Sequence, residues 1–252
     1  MSNATPHTPP TAPLAAPPAA PPMGSNHSDR PLGILMLDTH FARPLGDGGN
    51  PASWPFPVHI ARVPGAAARA VVSGEFRAIE TFIAAAESLV EDGACAITTT
   101  CGFLARFQHV LADALPVPVE TSTLMHYPAL QAALPAGKQV AILTIDATAL
   151  DAEVRTAASI PAATPVFSLD TNSHFRRAIL DETVALDVAV ACSEWTTLTQ
   201  HAVAQHPEIA HWLLECANLP PYSAAITSAT GRPVFDVLTM GIALHQRTNQ
   251  YS

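Results

Sequence analysis

Short apolar runs and longer amphipathic stretches alternate along the chain after residue 31. The runs predict strands that are buried on both faces, because they contain few polar positions. They cover residues 32–37, 94–99, 117–119, 139–145, 165–169, 212–214 and 234–235. The stretches between them carry apolar residues at helical spacing, such as Ile79, Phe82 and Ile83, and predict helices. This order predicts an α/β fold with parallel sheets covered by helices on both faces.

Capping residues set the expected ends of the helices. Ser73 precedes a predicted helix over 74–91, and Gly93 follows its end. Further helices are predicted after Cys101 and over 123–134, 173–206, 222–230 and 236–247. Residues 44–57 predict a long loop rich in Gly, Pro and Asn. A loop of that length is usually functional or disordered.

Two cysteines occupy matching places in this order. Cys101 and Cys216 each follow a predicted strand, precede a predicted helix and lead into a Pro-Val pair that begins another strand. The amino end of a helix carries partial positive charge and free N–H groups, which favour thiolate over thiol. We therefore predict that these two thiols take part in chemistry. Cysteine is also a common core residue, which is the role expected of Cys95 in a strand and Cys192 in a helix.

Polar residues collect where the predicted strands end. Asp38, Cys101, Thr121 and Cys216 each follow such a run. Ligands of parallel sheets bind at the carboxyl ends of the strands. The convergence of these residues predicts an active site at this edge of the sheets.

Structural roles are open for several of the same polar residues. Asp38 is suited to capping the loop after the first strand, and Asn50 is suited to a turn. Thr121 and Ser122 are suited to capping a helix, and Glu215 is suited to pairing with a helix end. The sequence leaves both interpretations standing.

Composition and charge exclude several classes of partner. The chain has 252 residues, of which 48% are hydrophobic, so it is long enough for one large or two small domains with a packed core. The net charge is −9 without a basic stripe, which argues against nucleic acid and anionic membranes as partners. No apolar run reaches the length of a membrane helix. The four cysteines lack metal-binding spacing, and reduced cysteines in a cytoplasmic protein are expected.

The first 30 residues form a separate region. They consist mainly of Pro, Ala, Thr and Ser and lack the charged start and leucine-rich centre of a secretory signal. Such a segment buries too little apolar surface to offset its chain entropy. We predict a disordered tail, partly in polyproline II conformation.

Several cofactors are also excluded by residue type and spacing. Lys138 is the only lysine and lies in a turn before a strand, so a pyridoxal-phosphate Schiff base is not expected. Neither a dinucleotide fingerprint nor a P-loop is present. His201, His206 and His211 are spaced by five residues, which turns each about 140° from the last on a helix. We expect neither a cofactor nor a metal.

Five segments, in this order, resemble the Asp/Glu/hydantoin racemase superfamily, the cofactor-independent two-cysteine racemases. The segments are Gly33-Ile-Leu-Met-Leu-Asp38-Thr39, Gly46-Asp47-Gly-Gly49-Asn50-Pro51, Thr99-Thr100-Cys101-Gly102-Phe103, Gln139-Val-Ala-Ile-Leu-Thr144 and Leu214-Glu215-Cys216-Ala217-Asn218-Leu219-Pro220-Pro221-Tyr222. The resemblance implies two similar α/β lobes related by a pseudo-twofold axis, with the active site in the cleft between them. It implies a first lobe of residues 31–118 plus 222–252 and a second of 119–221. It also implies that Cys101 and Cys216 face each other across the substrate's α-carbon.

The residues after the two cysteines differ from the superfamily's pattern. Its amino-acid racemases commonly have Cys-Asn-Thr at the first cysteine and Cys-Thr at the second. This chain has Cys101-Gly102-Phe103 and Cys216-Ala217. The difference argues against glutamate or aspartate as substrate and leaves backbone N–H groups to bind the anion.

The function expected from these residues is racemisation or epimerisation without a cofactor. Inversion of a carbon next to a carbonyl needs proton removal on one face and delivery on the other, and two thiols can do both. Cys101 and Cys216 are the expected bases, with Asp38 as a third catalytic residue that orients or helps deprotonate a cysteine. The expected substrate-binding residues are Asn50, Thr100, Gly102, Phe103, Thr121, Ser122, Glu215, Ala217 and Asn218.

Two other classes of function remain open at this point. One is a decarboxylase or cis-trans isomerase of the same fold, acting on a malonate-like or maleate-like substrate. The other is a two-lobed binding protein without catalysis. In each case the expected partner is a small carboxylate, an amino acid or a hydantoin-like molecule, and a homo-oligomer is possible.

Overall fold

Within residues 30–76 and 78–248, which the computed structural model describes, eight strands form two parallel four-stranded sheets. The predicted tail, apart from its last residue, lies outside the described residues. The strands are β1 (Leu32–Met36), β2 (Val58–Arg62), β3 (Ala96–Thr99), β4 (Val119–Glu120), β5 (Gln139–Leu143), β6 (Val166–Phe167), β7 (Ile209–Leu214) and β8 (Val234–Phe235).

The two sheets have the same strand order. It is β2-β1-β3-β4 in the first sheet and β6-β5-β7-β8 in the second. Every residue of β1 and β3 is buried, as expected for central strands of a parallel sheet covered on both faces. The predicted α/β fold class with two similar sheets is confirmed.

Helices cover the faces of both sheets. They are α1 (Ala68–Val72), α2 (Ile79–Glu91), α3 (Gln108–Ala114), α4 (Tyr127–Ala132), α5 (Ala152–Ala157), α6 (His174–Ile179), α7 (Val188–Gln205), α8 (Ser223–Thr230) and α9 (Val237–Thr248). Short 3-10 helices precede some of them, at Pro51–Ser53, Gly102–Phe107, Thr123–His126, Ala147–Ala149 and Pro220–Tyr222. In the described part of the chain no helix is long and apolar enough to cross a membrane.

The region between the first two predicted strands differs from expectation. It contains β2 and α1, neither of which was predicted, and Ser73 ends α1 instead of beginning the next helix. Gly74 has a φ of +74°, a left-handed conformation that interrupts the helix, so α2 begins only at Ile79. The edge strand β2 mixes polar and apolar residues and therefore gave no clear periodic signal.

The predicted helix over 173–206 is two helices, because residues 180–187 form a loop between α6 and α7. Ser173 caps α6 and Asp187 caps α7, because the side-chain oxygen of each accepts a hydrogen bond from a backbone N–H in the first turn. The break matters for the site, because this loop lies against the first half of the chain.

Two strands pair outside the lobes to which the expected boundaries assign them. Val119–Glu120 pairs with β3 in the first sheet, and Val234–Phe235 pairs with β7 in the second. Of the described residues that follow β8, helix α9 returns to the first sheet, where Met240 and Leu244 pack with Leu32 and Ile34. The chain therefore crosses between the sheets after β4 and again after β8.

Candidate active site

Cys101 and Cys216 occupy equivalent positions in the two sheets. Each lies two residues beyond its strand, β3 ending at Thr99 and β7 at Leu214. Both thiols line one cavity of about 30 Å³. Its other walls come from both halves of the chain: Leu37, Thr39, Phe41, Arg43, Ala68, Val72, Thr100 and Phe103 from the first, and Ile145, Ile179, Leu180, Glu215 and Asn218 from the second.

Cys101 is held at the start of the 3-10 helix Gly102–Phe107. Its backbone N–H donates to Thr99 Oγ1 at 3.2 Å. Burial, followed by the nearby Glu215 carboxylate, raises the pKa of the Cys101 thiol well above its usual range. Hydrogen bonds from the backbone N–H groups of Phe103 and Leu104 oppose this shift, as does the positive charge of Arg106. The predicted thiolate-favouring field of the helix end is present, but burial outweighs it.

Cys216 belongs to a hydrogen-bonded series that crosses between the sheets. Its Sγ donates to Asn218 Oδ1 at 3.4 Å, and Asn218 Nδ2 donates to Asp47 Oδ2 at 2.7 Å. Arg43 Nη1 donates to the other Asp47 oxygen at 2.8 Å, and Arg43 Nη2 donates to Thr39 Oγ1 at 2.8 Å. This series fixes the orientation of Cys216 relative to the Arg43 guanidinium.

The electrostatic surroundings of Cys216 are more negative than those of Cys101. Burial, then Glu215, raises the pKa of the Cys216 thiol, and Asp47 adds to the increase. One backbone N–H, from Asn218, opposes it. Fewer neighbouring groups therefore favour the thiolate at Cys216 than at Cys101.

Arg43 is a site residue that the sequence interpretation missed. Its side chain is only 11% exposed and lines the cavity, and its guanidinium lies 4.4 Å from the centroid of the Phe41 ring. Gly49 makes room for it, since a Cβ at that position would lie 2.9 Å from three Arg43 side-chain atoms. A lone arginine in a Pro- and Gly-rich loop gave no signal, because only the fold brings it to the cysteines.

Glu215 joins the two halves behind the thiols. Its carboxylate is buried, which raises its pKa to about 7, although the Thr144 hydroxyl and the backbone N–H groups of Ile145, Gly102 and Phe103 hydrogen-bond to it and oppose the shift. A Cβ on Gly102 would lie 2.6 Å from Glu215 Oε1 and 2.5 Å from its carbonyl oxygen. The N–H groups after Cys101, which were expected to bind a substrate anion, thus already donate to a protein carboxylate.

The cavity brings together six of the predicted site residues. Cys101, Thr100 and Phe103 line it from the first half, and Glu215, Cys216 and Asn218 line it from the second. Gly102 contacts Glu215 without lining the cavity.

Other predicted site residues lie away from the cavity wall. Asp38 accepts a hydrogen bond from the Gly65 N–H at 3.1 Å, and Asn50 caps the 3-10 helix Pro51–Ser53. Their observed contacts are those of loop and cap residues. Asn50 still acts near the site, because its Nδ2 donates to the carbonyl oxygen of Arg43 at 3.0 Å.

Thr121, Ser122 and Ala217 also make structural contacts. Thr121 Oγ1 donates to Gln108 Oε1 at 2.8 Å, and Ser122 Oγ accepts from the Leu124 N–H. The carbonyl oxygen of Ala217 accepts from the Gly48 N–H at 2.9 Å. Of residues 30–76 and 78–248, no three His, Cys, Asp or Glu side chains are grouped to hold a metal ion.

No family model matches the chain. Among curated proteins it is similar to the dimethylsulfoniopropionate lyase of Durusdinium sp. clade D, with 31% identity over 82% of this chain and 71% of that protein. It is also similar to dimethylsulfoniopropionate lyase 3 of Emiliania huxleyi, with 32% identity over 84% of this chain and 58% of that protein.

Solved structures with the same fold include racemases and a decarboxylase. Unliganded arylmalonate decarboxylase superposes with a TM-score of 0.54 and 16% identity over 88% of this chain and 94% of that one. Allantoin racemase from Pseudomonas fluorescens superposes with a TM-score of 0.55 and 18% identity over 87% of this chain and 91% of that one. The resemblance drawn from the sequence motifs therefore holds for the fold.

The expected function is wrong. A racemase or epimerase was predicted, whereas the relatives at about 30% identity over most of the chain are lyases. The error has a physical origin, because two facing thiols beside an α-carbon serve any reaction that begins with removal of the α-proton. The thiols alone do not reveal what happens to the carbanion afterwards.

Proposed function

This chain belongs to the family of the dimethylsulfoniopropionate lyases, and we propose that it is itself a lyase that cleaves the C–S bond of a sulfonium carboxylate of this kind. The chain spans 71% of the length of the first of these relatives and 58% of the second. The proposal concerns the α/β unit that they share.

The substrate named by these relatives defines the chemistry required. It is a three-carbon carboxylate whose third carbon carries a positively charged dimethylsulfonium group. A base removes a proton from the carbon next to the carboxylate, and the electrons of that C–H bond form a C=C bond. The C–S bond then breaks with its electron pair passing to sulfur. The products are acrylate, neutral dimethyl sulfide and a proton that the base carries.

One observation carries the proposal: two thiols, a guanidinium and two aromatic rings line the same buried cavity. Arg43 has N–H donors beyond those that bind Asp47 and Thr39, and a guanidinium is well matched to a carboxylate. Phe41 and Phe103 offer ring surface to a sulfonium cation, which aromatic faces attract. Each part of the substrate thus has a complementary group.

Of the two thiols, Cys101 is the better base. Burial and Glu215 raise the pKa of both, but two N–H groups and the positive charge of Arg106 favour the Cys101 thiolate. At Cys216 one N–H favours the thiolate, and the Asp47 carboxylate opposes it. Cys101 therefore accepts the α-proton, and Cys216, held by Asn218, positions the substrate on the opposite side.

The sulfonium substrate itself supplies the positive charge that a thiolate in this cavity requires. Both thiols are protonated in the closed cavity, because burial and a neighbouring carboxylate disfavour a second negative charge. A sulfonium cation in the cavity offsets the charge of Glu215 and so lowers the pKa of the thiol. Thiolate formation is then coupled to binding of a cationic substrate, which favours sulfonium carboxylates over carboxylates without a positive charge.

Product analysis tests the proposal. The purified chain is incubated with dimethylsulfoniopropionate, dimethyl sulfide is measured in the headspace by gas chromatography, and acrylate is measured by liquid chromatography. Equal amounts of the two products are expected, and the Cys95→Ser variant should form them at the same rate, since Cys95 directly precedes β3 and does not line the cavity. Failure to form either product, or exchange of the α-proton in deuterium oxide without release of dimethyl sulfide, would contradict a lyase.

A further inference from the structure

The segment Thr39–Arg43 separates two pockets. Thr39, Phe41 and Arg43 line the thiol cavity, whereas His40, Phe41 and Ala42 line a second pocket on its other side. Successive residues thus contribute to opposite pockets, and Phe41 contributes to both. Residues 178–182 also border both pockets, since Ile179 and Leu180 line the thiol cavity and Ala178 and Glu182 line the outer pocket, so the wall consists of Thr39–Arg43 and this stretch.

The two pockets differ greatly in size. The thiol cavity measures about 30 Å³, and the outer pocket, lined by His40, Phe41, Glu182 and Leu186 among others, measures about 440 Å³. A cavity of about 30 Å³ has room for only about two water molecules, since one water needs roughly 10–15 Å³ on this measure. A substrate with eight non-hydrogen atoms therefore does not fit the thiol cavity unless a wall moves.

Among the described residues, one hydrogen bond joins the segment Thr39–Arg43 to the second half of the chain, while Phe41 packs against the hydrophobic core. The His40 N–H donates to Glu182 Oε2 at 3.2 Å, and this hydrogen bond is exposed. Glu182 has a φ of +50°, a left-handed conformation that is unfavourable for a residue with a side chain. Nearby, Arg69 pairs with Asp181 of the same loop. Because Glu182 is strained and its hydrogen bond to His40 is exposed, we expect this hydrogen bond to break easily.

We infer that the outer pocket is the approach site for the sulfonium substrate and that Thr39–Arg43 is a gate that joins it to the thiol cavity when the His40–Glu182 contact opens. The identity of the ligand rests on the proposed function. The outer pocket suits a sulfonium, because it combines the Phe41 ring with the Glu182 carboxylate. Movement of Phe41 merges the two pockets, while Arg43, held by Asp47 and Asn50, stays in place to bind the carboxylate end.

The gate is tested first by alkylation, which does not depend on the enzyme's substrate. Iodoacetamide, a small neutral reagent, is added to the full chain, and the rates of modification of Cys101, Cys216 and Cys95 are followed by mass spectrometry. Phe41→Ala and Glu182→Ala should each accelerate modification of Cys101 and Cys216 by about tenfold, as expected when one contact that favours the closed state is lost. Cys95, which is buried directly before β3, should react at its wild-type rate.

Two further variants separate the gate from the charge of the outer pocket. Glu182→Gln keeps an oxygen that accepts the His40 N–H but removes the charge, so alkylation should be unchanged and kcat/KM for dimethylsulfoniopropionate should fall several-fold. Ala185→Trp fills the exposed outer pocket and should slow both alkylation and turnover. Ala162→Trp, in a different exposed pocket, is the matched control and should change neither.

The results distinguish this inference from the proposed function. Unchanged alkylation of Cys101 and Cys216 in Phe41→Ala and Ala185→Trp would overturn the gate even if the wild type releases dimethyl sulfide. Modification of Cys95 in step with the other two would also overturn it, because opening would then be general unfolding. Altered alkylation in a chain that releases no dimethyl sulfide would leave the gate standing and remove the lyase.

Discussion

At the scale of single residues, Cys101 and Cys216 differ although their positions match. Both follow a strand by two residues and line one cavity. Their neighbours are unlike, because Arg106 and two N–H groups act on Cys101 while Asp47 acts on Cys216. The proposed elimination needs one base, and this asymmetry favours Cys101 for that role.

Replacement of each cysteine should therefore have unequal effects. Cys101→Ser should lower kcat for dimethyl sulfide release by about 10²–10⁴-fold, the usual cost of removing a positioned base. Cys216→Ser should raise KM more than it lowers kcat. Steady-state kinetics at several substrate concentrations measures both constants, and the reverse pattern would make Cys216 the base.

Glu215 should make stability depend on pH. The pKa of its carboxyl is about 7 in the folded protein, against a reference of 4.5 that applies to the unfolded chain. Between these values the folded protein holds a proton that the unfolded chain has released, so stability falls as pH rises from 4.5 to 7. The free energy of unfolding should decrease by about 3 kcal/mol over this range.

Thermal unfolding of Glu215→Gln at pH 5 and pH 8 checks this expectation. The variant should lack the fall in melting temperature that Glu215 causes in the wild type. Its melting temperature should therefore rise relative to the wild type as pH increases. Glu87→Gln, at an exposed position on α2, is the control and should follow the wild type at both values. A wild type and a Glu215→Gln variant with the same pH profile would show that burial does not raise this pKa.

The sequence located both thiols but not their partners. Duplication of the strand-cysteine-helix unit singled out Cys101 and Cys216, because that signal is local. Arg43 and Asp47 reach the site through the loop after β1, and the hydrogen bond from Asn218 to Asp47 joins residues that lie 171 positions apart in the sequence. Such a contact depends on how the two sheets face each other, which spacing along the chain does not encode.

At the scale of elements, the turn after β3 is built against the turn after β7. Gly102 contacts the Glu215 backbone and side chain so closely that no other residue fits without displacement. The Glu215 carboxylate in turn accepts hydrogen bonds from backbone N–H groups of the 3-10 helix that follows Cys101. One contact thus sets the relative position of both cysteines.

Gly102→Ala should damage both stability and catalysis. Its Cβ would meet the Glu215 carbonyl oxygen at 2.5 Å, so the two turns must separate, with a cost of about 1–3 kcal/mol. A shift of this kind at the thiols should lower kcat by about 10²-fold. Thermal melts and dimethyl sulfide assays measure the two effects.

Gly33→Ala is the matched control for this substitution. Its Cβ would meet the end of the Ile97 side chain, inside the first lobe. It should therefore reduce stability to a similar extent but leave kcat near the wild-type value. Equal losses of kcat in the two variants would mean that the contact at Gly102 has no special role in positioning the thiols.

Helices and strands were predicted correctly where the local pattern of apolar residues was strong and were missed where it was weak. The buried strands β1, β3 and β5 were predicted from continuous apolar runs, and α9 from its spacing. The edge strand β2 and the five-residue helix α1 were missed, because their residues are only partly buried or too few to show a period.

At the scale of the whole molecule, the two sheets are joined by an exchange of segments. The last described helix, α9, packs on the first sheet, and Trp54, from the loop between β1 and β2, packs against Gly241 of α9. The sequence predicted two similar lobes, but two-residue strands such as β4 and β8 carry too little pattern to show which sheet they join.

Met240→Ala should destabilise the first sheet more than the second. Met240 is fully buried against β1, and loss of its side chain should cost about 2–5 kcal/mol. Hydrogen exchange should show faster exchange in β1 and β3 than in β5 and β7. Val188→Ala, at an exposed position, should change neither sheet, and a uniform effect of Met240→Ala would indicate that the two sheets unfold as one unit.

The return of α9 also has a consequence for synthesis of the chain on the ribosome. Translation runs from β3 to α9 through more than half of the described residues, which takes roughly 7–28 s at common elongation rates. During that interval the face of the first sheet that α9 covers is exposed to water and to chaperones. A premature stop before Val237 would leave that apolar face uncovered permanently, and such a fragment should be a substrate for proteolytic quality control.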